Sequence, residues 1–203
     1  MGMYLERKIV TSLEKTVFSG EMDHGQIVEE CRRVLKRFGV RVELSYSDKL
    51  NGYEFEVSGH YDSSRMRQPI NLVVYFSLEH GARFRWTGTR VNEFRFKVSQ
   101  VLQHELIHKC QAQYRLEGEL GYPACFDKNK QEQLYLANKD EISAYAHDIM
   151  MELKQQKGRW TILRQIGRYN VPSYNIYKQA FGSKDWHKVK HRLLKQVFKW
   201  MEN

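Results

Sequence analysis

The hydrophobic period switches along this chain, and the switch restricts its fold more than any other feature. Between residues 40 and 46, Val40, Val42, Leu44 and Tyr46 alternate with Arg41, Glu43 and Ser45. Successive side chains of a strand point to opposite faces, so this stretch predicts a β-strand covered on one side. Tyr53, Phe55 and Val57 alternate likewise with Glu54 and Glu56, following Asn51 and Gly52, a pair suited to a tight hairpin. The two stretches are therefore expected to pair antiparallel. A third strand, INLVVYFSL, turns through EHGA into a short RFRW, which makes a small, mostly antiparallel sheet of three or four strands.

On either side of the sheet the period is that of a helix. Leu5, Ile9, Leu13 and Val17 form one stripe that stops near Gly20. A second stripe runs through Ile27, Cys31, Val34, Leu35 and Phe38; Asp23 and Gln26 have the spacing of a capping box before it, and Gly39 stops it. After the sheet, Asn92 is an N-cap for a helix from Glu93 to about Glu117, ended by Gly118. The loop GELGYPACFDKNKQ follows, then a helix from Lys139 to about Lys154, then short helices broken near Pro172 and Gly182. The fold class is α+β.

Charge divides the chain at about residue 156. Of a net +9, residues 157 to 203 carry all of it: eleven Lys or Arg stand there against Asp185 and Glu202. Residues 1 to 156 are read as one folded domain and 157 to 203 as a basic, aromatic-rich helical region packed on it. No apolar run approaches the length of a membrane span, and the charged start MGMYLERKIVTSLEK lacks the apolar centre of a signal peptide. Glu6 stands where an N-myristoylation signal has Ser or Thr. A cytoplasmic protein without a membrane partner is expected. Cys31, Cys110 and Cys125 are odd in number and unrelated in spacing, as reduced thiols would be.

The motif that carries chemistry is QHELIHKCQ, in the predicted helix after the sheet. Positions four apart on an α-helix are about 6 Å apart along the axis and rotated by about 40°, so His104 and His108 can converge on one ion. Glu105 neighbours the same face. Two neutral imidazoles holding Zn²⁺, with a carboxylate to take a proton from the water the ion activates, is what metal-assisted hydrolysis requires. The competing reading is two histidines on a solvated helix face.

HELIH after a sheet, with NKDEISAYAHD on a later helix, resembles the zincin metallopeptidases, and among them the gluzincin type. The resemblance covers roughly residues 70 to 155. It implies that His104 and His108 are zinc ligands, that Glu105 is the general base and that a Glu on a downstream helix is the third ligand. Metzincins place a third His six residues past the second; Tyr114 is there instead. SprT-like proteases take a third His further along, and the chain has none between His108 and His147.

Glu141 is the expected third ligand. With Ile142, Ala146, Ile149, Met150 and Leu153 as the buried stripe, Glu141 borders it beside Tyr145 and His147 projects from the far side. The run from Glu141 to Ala146 is similar to the corresponding helix of the ImmA/IrrE group of bacterial and phage peptidases. Against this, Asn138 and Glu141 also have capping-box spacing, which needs no metal; Asp140 is the fallback. Tyr145 is either a hydrogen-bond donor to an oxyanion, and so catalytic, or a packed core residue. Asp148 is a candidate to orient a ligand or is solvated.

These readings converge on a zincin-like zinc endopeptidase of a bacterial cell or phage-infected host, acting on a protein or peptide substrate that adds to the strand INLVVYF. The alternative is a protein that binds nucleic acid, or an acidic partner, through the basic region, where cations are interleaved with Trp160, Tyr169, Tyr174, Tyr177, Trp186 and Trp200.

Overall fold

Local signals set most of the elements. A computed structural model of the protein describes residues 2–48, 50, 54–62, 68–77, 79, 83–114, 128–181 and 183–202. The expected Asn51-Gly52 turn, the end of the motif helix at Gly118, the loop that follows it with Cys125, and Gly182 lie outside the described residues. The chain is α+β and divides into two units, Met1–Gln113 and Tyr114–Asn203.

The first unit begins with α1 (Gly2–Glu14) and α2 (His24–Leu35). Ile9 and Leu13 of α1 are buried, but the helix stops at Glu14 and leaves Val17 68% exposed rather than on the stripe. At α2 the capping box forms: Asp23 Oδ1 accepts the Gln26 N–H at 2.8 Å and Gln26 Oε1 accepts the Asp23 N–H at 3.1 Å. A 3-10 turn, Lys36–Phe38, leads to Gly39 at φ 67°, a left-handed conformation that glycine adopts without steric cost.

The strands do not form the expected hairpin. Strand β2 (Val40–Ser47) pairs parallel with β4 (Ile70–Ser77), and β3 (Phe55–His60) pairs antiparallel with the other side of β4, giving the order β2-β4-β3. The reason is apolarity: Ile70, Leu72, Val74 and Phe76 of β4 are fully buried, whereas β2 and β3 keep charged outer faces, so β4 gains most from the centre. INLVVYF is thus paired on both sides and cannot accept a substrate strand; β3 is an edge. A separate two-stranded ladder joins β1 (Glu21–Asp23) antiparallel to β5 (Arg83–Arg85), and β1 was not expected.

Helix α3 (Gly88–Tyr114) starts a turn earlier than the sequence suggests. Thr87 caps it in place of Asn92: its Oγ1 accepts the Arg90 N–H at 3.3 Å and its carbonyl accepts the Val91 N–H at 2.9 Å. Phe94, Val98 and Leu102, four apart, are completely buried, each contributing roughly 1.5–3 kcal/mol. Phe94 joins Phe18, Phe55 and Trp86 in an aromatic cluster at centroid separations of 5.2 to 5.4 Å. Arg95 fastens α3 to the end of α1, donating to the carbonyls of Glu14 at 3.1 Å and Thr16 at 2.6 Å. These contacts fix the axial position of the turn that carries His104 and His108.

The second unit is helical among the described residues: α4 (Lys128–Ala137), α5 (Lys139–Lys154), α6 (Arg159–Arg164), α7 (Pro172–Ala180) and α8 (Ser183–Glu202). Ile142, Ala146, Ile149, Met150 and Leu153 of α5 are buried with Tyr174 and Tyr177 of α7 and Val189, Leu193 and Val197 of α8. Pro172 is the first residue of α7, where its missing N–H costs nothing. The same end is held by buried Glu152, which accepts from the Ser173 hydroxyl at 2.7 Å and from its N–H at 3.2 Å. No helix among the described residues is long and apolar enough to cross a membrane.

Candidate metal centre

Both motif histidines come from one continuous stretch of α3, and they face each other. His104 Nε2 and His108 Nε2 are 3.1 Å apart, with ring centroids at 4.9 Å and planes at 69°. Two nitrogens bound at about 2.0–2.1 Å in a tetrahedron stand about 3.3 Å apart, so this pair has the spacing of two zinc ligands. The far nitrogen of His108 is also engaged: Nδ1 lies 3.2 Å from Gln111 Oε1. As a donor to that amide, Nδ1 carries the proton and leaves Nε2 with its lone pair toward His104, the arrangement a ligating histidine uses.

Glu105 follows His104 and is only 9% exposed. It occupies space that β3 leaves open at Gly59: a Cβ built there would stand 2.7 Å from Glu105 Cγ, 3.2 Å from its Oε1 and 2.6 Å from Val101 Cγ1. Nothing in the local sequence announces this requirement, because it comes from a strand more than forty residues earlier. Deeper in the same turns, Leu102 is fully buried, and Gln103 Nε2 donates to Ser99 Oγ at 2.7 Å. The helix therefore has one packed face and one face bearing the imidazoles.

Cys31 is fully buried, and burial pushes its thiol up to about 12, with Glu30 adding to the effect. Such a thiol is not a ligand or nucleophile at neutral pH. Cys110 is half-buried, and neither cysteine is in a disulfide. Lys109 places its ammonium 5.9 Å from the ring centroid of Tyr61, whose phenol is held above the ordinary tyrosine range by burial and then by Asp62 and Cys110.

In the second unit Glu141 sits in the first turn of α5 and is 3% exposed. Asn138 caps this helix, but its Oδ1 accepts the Asp140 N–H at 2.9 Å rather than that of Glu141. Asp148 is buried and not solvated, and His147, expected on the far side of α5, is buried with its ring edge-on to Trp200 at 4.9 Å. The wheel misplaced His147 because α8 covers that flank: Trp200 Nε1 donates to the Ser143 carbonyl at 3.0 Å. Tyr145 is half-buried and its ring meets Tyr177 edge-on at 5.2 Å. Tyr177 was grouped with the basic region, yet it is completely buried; burial first, then Glu141, Tyr145 and Asp148, hold its phenol far above the ordinary range, with Arg192 opposing.

Compared with known proteins, the chain matches no family model, no curated protein and no solved structure.

Proposed function

We propose that this chain is a zinc-dependent metallopeptidase of the zincin type, in which His104, His108 and Glu141 hold the ion and Glu105 is the general base. The observation that carries the reading is the 3.1 Å separation of the two Nε2 atoms on one helix, close to what a tetrahedral ion requires. Glu141 is proposed as the third ligand on its own surroundings: it is a carboxylate in the first turn of α5, only 3% exposed, and its neighbour Asp140 rather than Glu141 itself gives its N–H to the Asn138 cap. A three-ligand set leaves one position open, which favours catalysis over a purely structural site.

When bound, zinc supplies Lewis-acid activation of water and of the scissile carbonyl. The chain's own residues do the rest. Gln111 fixes the tautomer of His108; Gly59 gives Glu105 a place beside the ligands; Glu105 takes a proton and passes it to the leaving amine. Tyr145 is assigned to donate to the oxyanion. An extended peptide is proposed to pair with the open edge of β3, the strand that abuts Glu105.

The test is metal analysis joined to proteolysis. Purified protein is expected to carry one equivalent of zinc, to lose it in His104→Ala and His108→Ala, and to keep it in Glu105→Gln while losing cleavage of unfolded casein. Zinc-free protein after dialysis against zinc, or a Glu105→Gln variant that cleaves as well as the parent, overturns the assignment.

A further inference from the structure

Helix α8 divides its residues sharply. Val189, Leu193, Val197 and Met201 are buried in the second unit's core. On another face His187, Lys190, His191, Leu194, Lys195 and Phe198 line an open groove of about 480 Å³. The spacing of these positions is three or four residues, so they form one stripe about 16 Å long. No carboxylate is among the described residues that line it. Phe198, next to buried Val197, is turned outward and 42% exposed.

Phe198 has company. Trp160, at the start of α6 and 40% exposed, stacks on it with centroids 6.1 Å apart and planes 26° from parallel. An aromatic pair left partly exposed at the end of a basic groove points to a ligand with flat, apolar faces. Lysines along a groove and an aromatic platform at its end suit one ligand chemistry: phosphates at regular intervals with unstacked bases between them. The net charge of +9 in residues 157 to 203 supplies the attraction. An acidic peptide would match the lysines but gives no use to the stacked rings.

We infer that the α8 groove, from His187 to Phe198 with Trp160, is a binding surface for single-stranded nucleic acid, contacted through phosphates by Lys190 and Lys195 and through bases by Trp160 and Phe198. The inference is independent of the peptidase reading, since it uses no residue of α3 or α5.

Fluorescence anisotropy of a short fluorescein-labelled oligothymidylate tests it on the full chain, in EDTA and again after zinc loading. Saturable binding is expected in both, with log K falling against log salt at a slope of about −1.4 or steeper for two lysine contacts. Lys190→Glu with Lys195→Glu should weaken binding at least about tenfold and flatten the salt slope. Trp160→Ala should weaken it about tenfold and leave the salt slope unchanged. Lys190 and Lys195 line the groove and Trp160 is a partly exposed ring stacked on Phe198, and circular dichroism checks that the variants stay folded. Absence of saturable binding overturns the proposal. So does binding equally strong to polyglutamate and indifferent to Trp160→Ala, which would mark the groove as a site for acidic protein. Intact binding in a Glu105→Gln protein without peptidase activity would separate this surface from the metal centre.

Discussion

Gly59 and Glu105 share one volume. The Cα of a strand residue stands where a side chain would meet Cγ of the proposed base at 2.7 Å, well inside van der Waals contact. Because Val101 Cγ1 would be at 2.6 Å as well, the helix cannot yield to one side. Gly59→Ala is therefore expected to cost about 1–3 kcal/mol and to turn Glu105 away from the proposed ligands. Denaturant midpoints and casein cleavage check it; a variant as stable and active as the parent would show that strand and helix are not so close.

Tyr145 and Tyr177 touch edge to edge yet should respond differently to loss of their hydroxyls. Tyr145→Phe is expected to lower kcat by about 10²-fold with zinc content and thermal midpoint unchanged. Tyr177 is completely buried, and its hydroxyl has no hydrogen-bond partner among the described residues, so Tyr177→Phe should leave stability the same or raise it by up to about 1 kcal/mol. Full activity in Tyr145→Phe would assign that ring to packing alone. A clear loss of stability in Tyr177→Phe would reveal a partner for the phenol.

Glu152 joins α5 to the first turn of α7 through the Ser173 hydroxyl and N–H. Bonds to an ionised acceptor at a helix start contribute more than neutral ones, so Glu152→Ala is expected to destabilise by about 2–3 kcal/mol. Ser173→Ala, which keeps the N–H contact, should cost about half as much. Equal losses would mean that the backbone contact contributes nothing.

His24 stacks face to face on Phe76 with centroids 4.0 Å apart, and burial holds its imidazole below the ordinary 6.5, with Asp23 working the other way. A base whose folded pKa is depressed takes up its proton more readily when unfolded. Stability from this site is therefore complete above pH 6.5 and declines as pH falls toward the folded value. Thermal midpoints followed from pH 8 to 5 should fall in the parent and fall less in His24→Gln; identical profiles would acquit His24.

What could be read from the sequence was local. The bounds of α5, Lys139–Lys154, follow from an Asn cap and a helical stripe within the segment itself, and the Asp23 box and the Gly39 stop are equally self-contained. The facing of His104 and His108 follows from helix geometry alone. Partner choice was not legible: Asn51-Gly52 pointed to a hairpin, but the burial of alternate residues in β4 drew both other strands to it. His147 was misjudged because a helical wheel with one stripe assumes one neighbour, whereas α5 is enclosed on several sides. The vacancy at Gly59 for Glu105 could not be seen without knowing which strand passes beneath α3.

The strand order also dictates a sequence of events as the chain is made. Every residue of β2 waits for a mate thirty positions downstream, from Val40 with Ile70 to Ser47 with Ser77. Closing a loop of that span carries an entropic charge before any ladder bond rewards it, and no local turn can start the process. During synthesis β2 and β3 emerge with exposed rims and nothing to zip to; only when β4 leaves the ribosome can both be captured, almost at once. The floor on which the proposed catalytic carboxylate rests is thus assembled late, and a truncation before residue 70 should leave β2 and β3 without the strand they pair with.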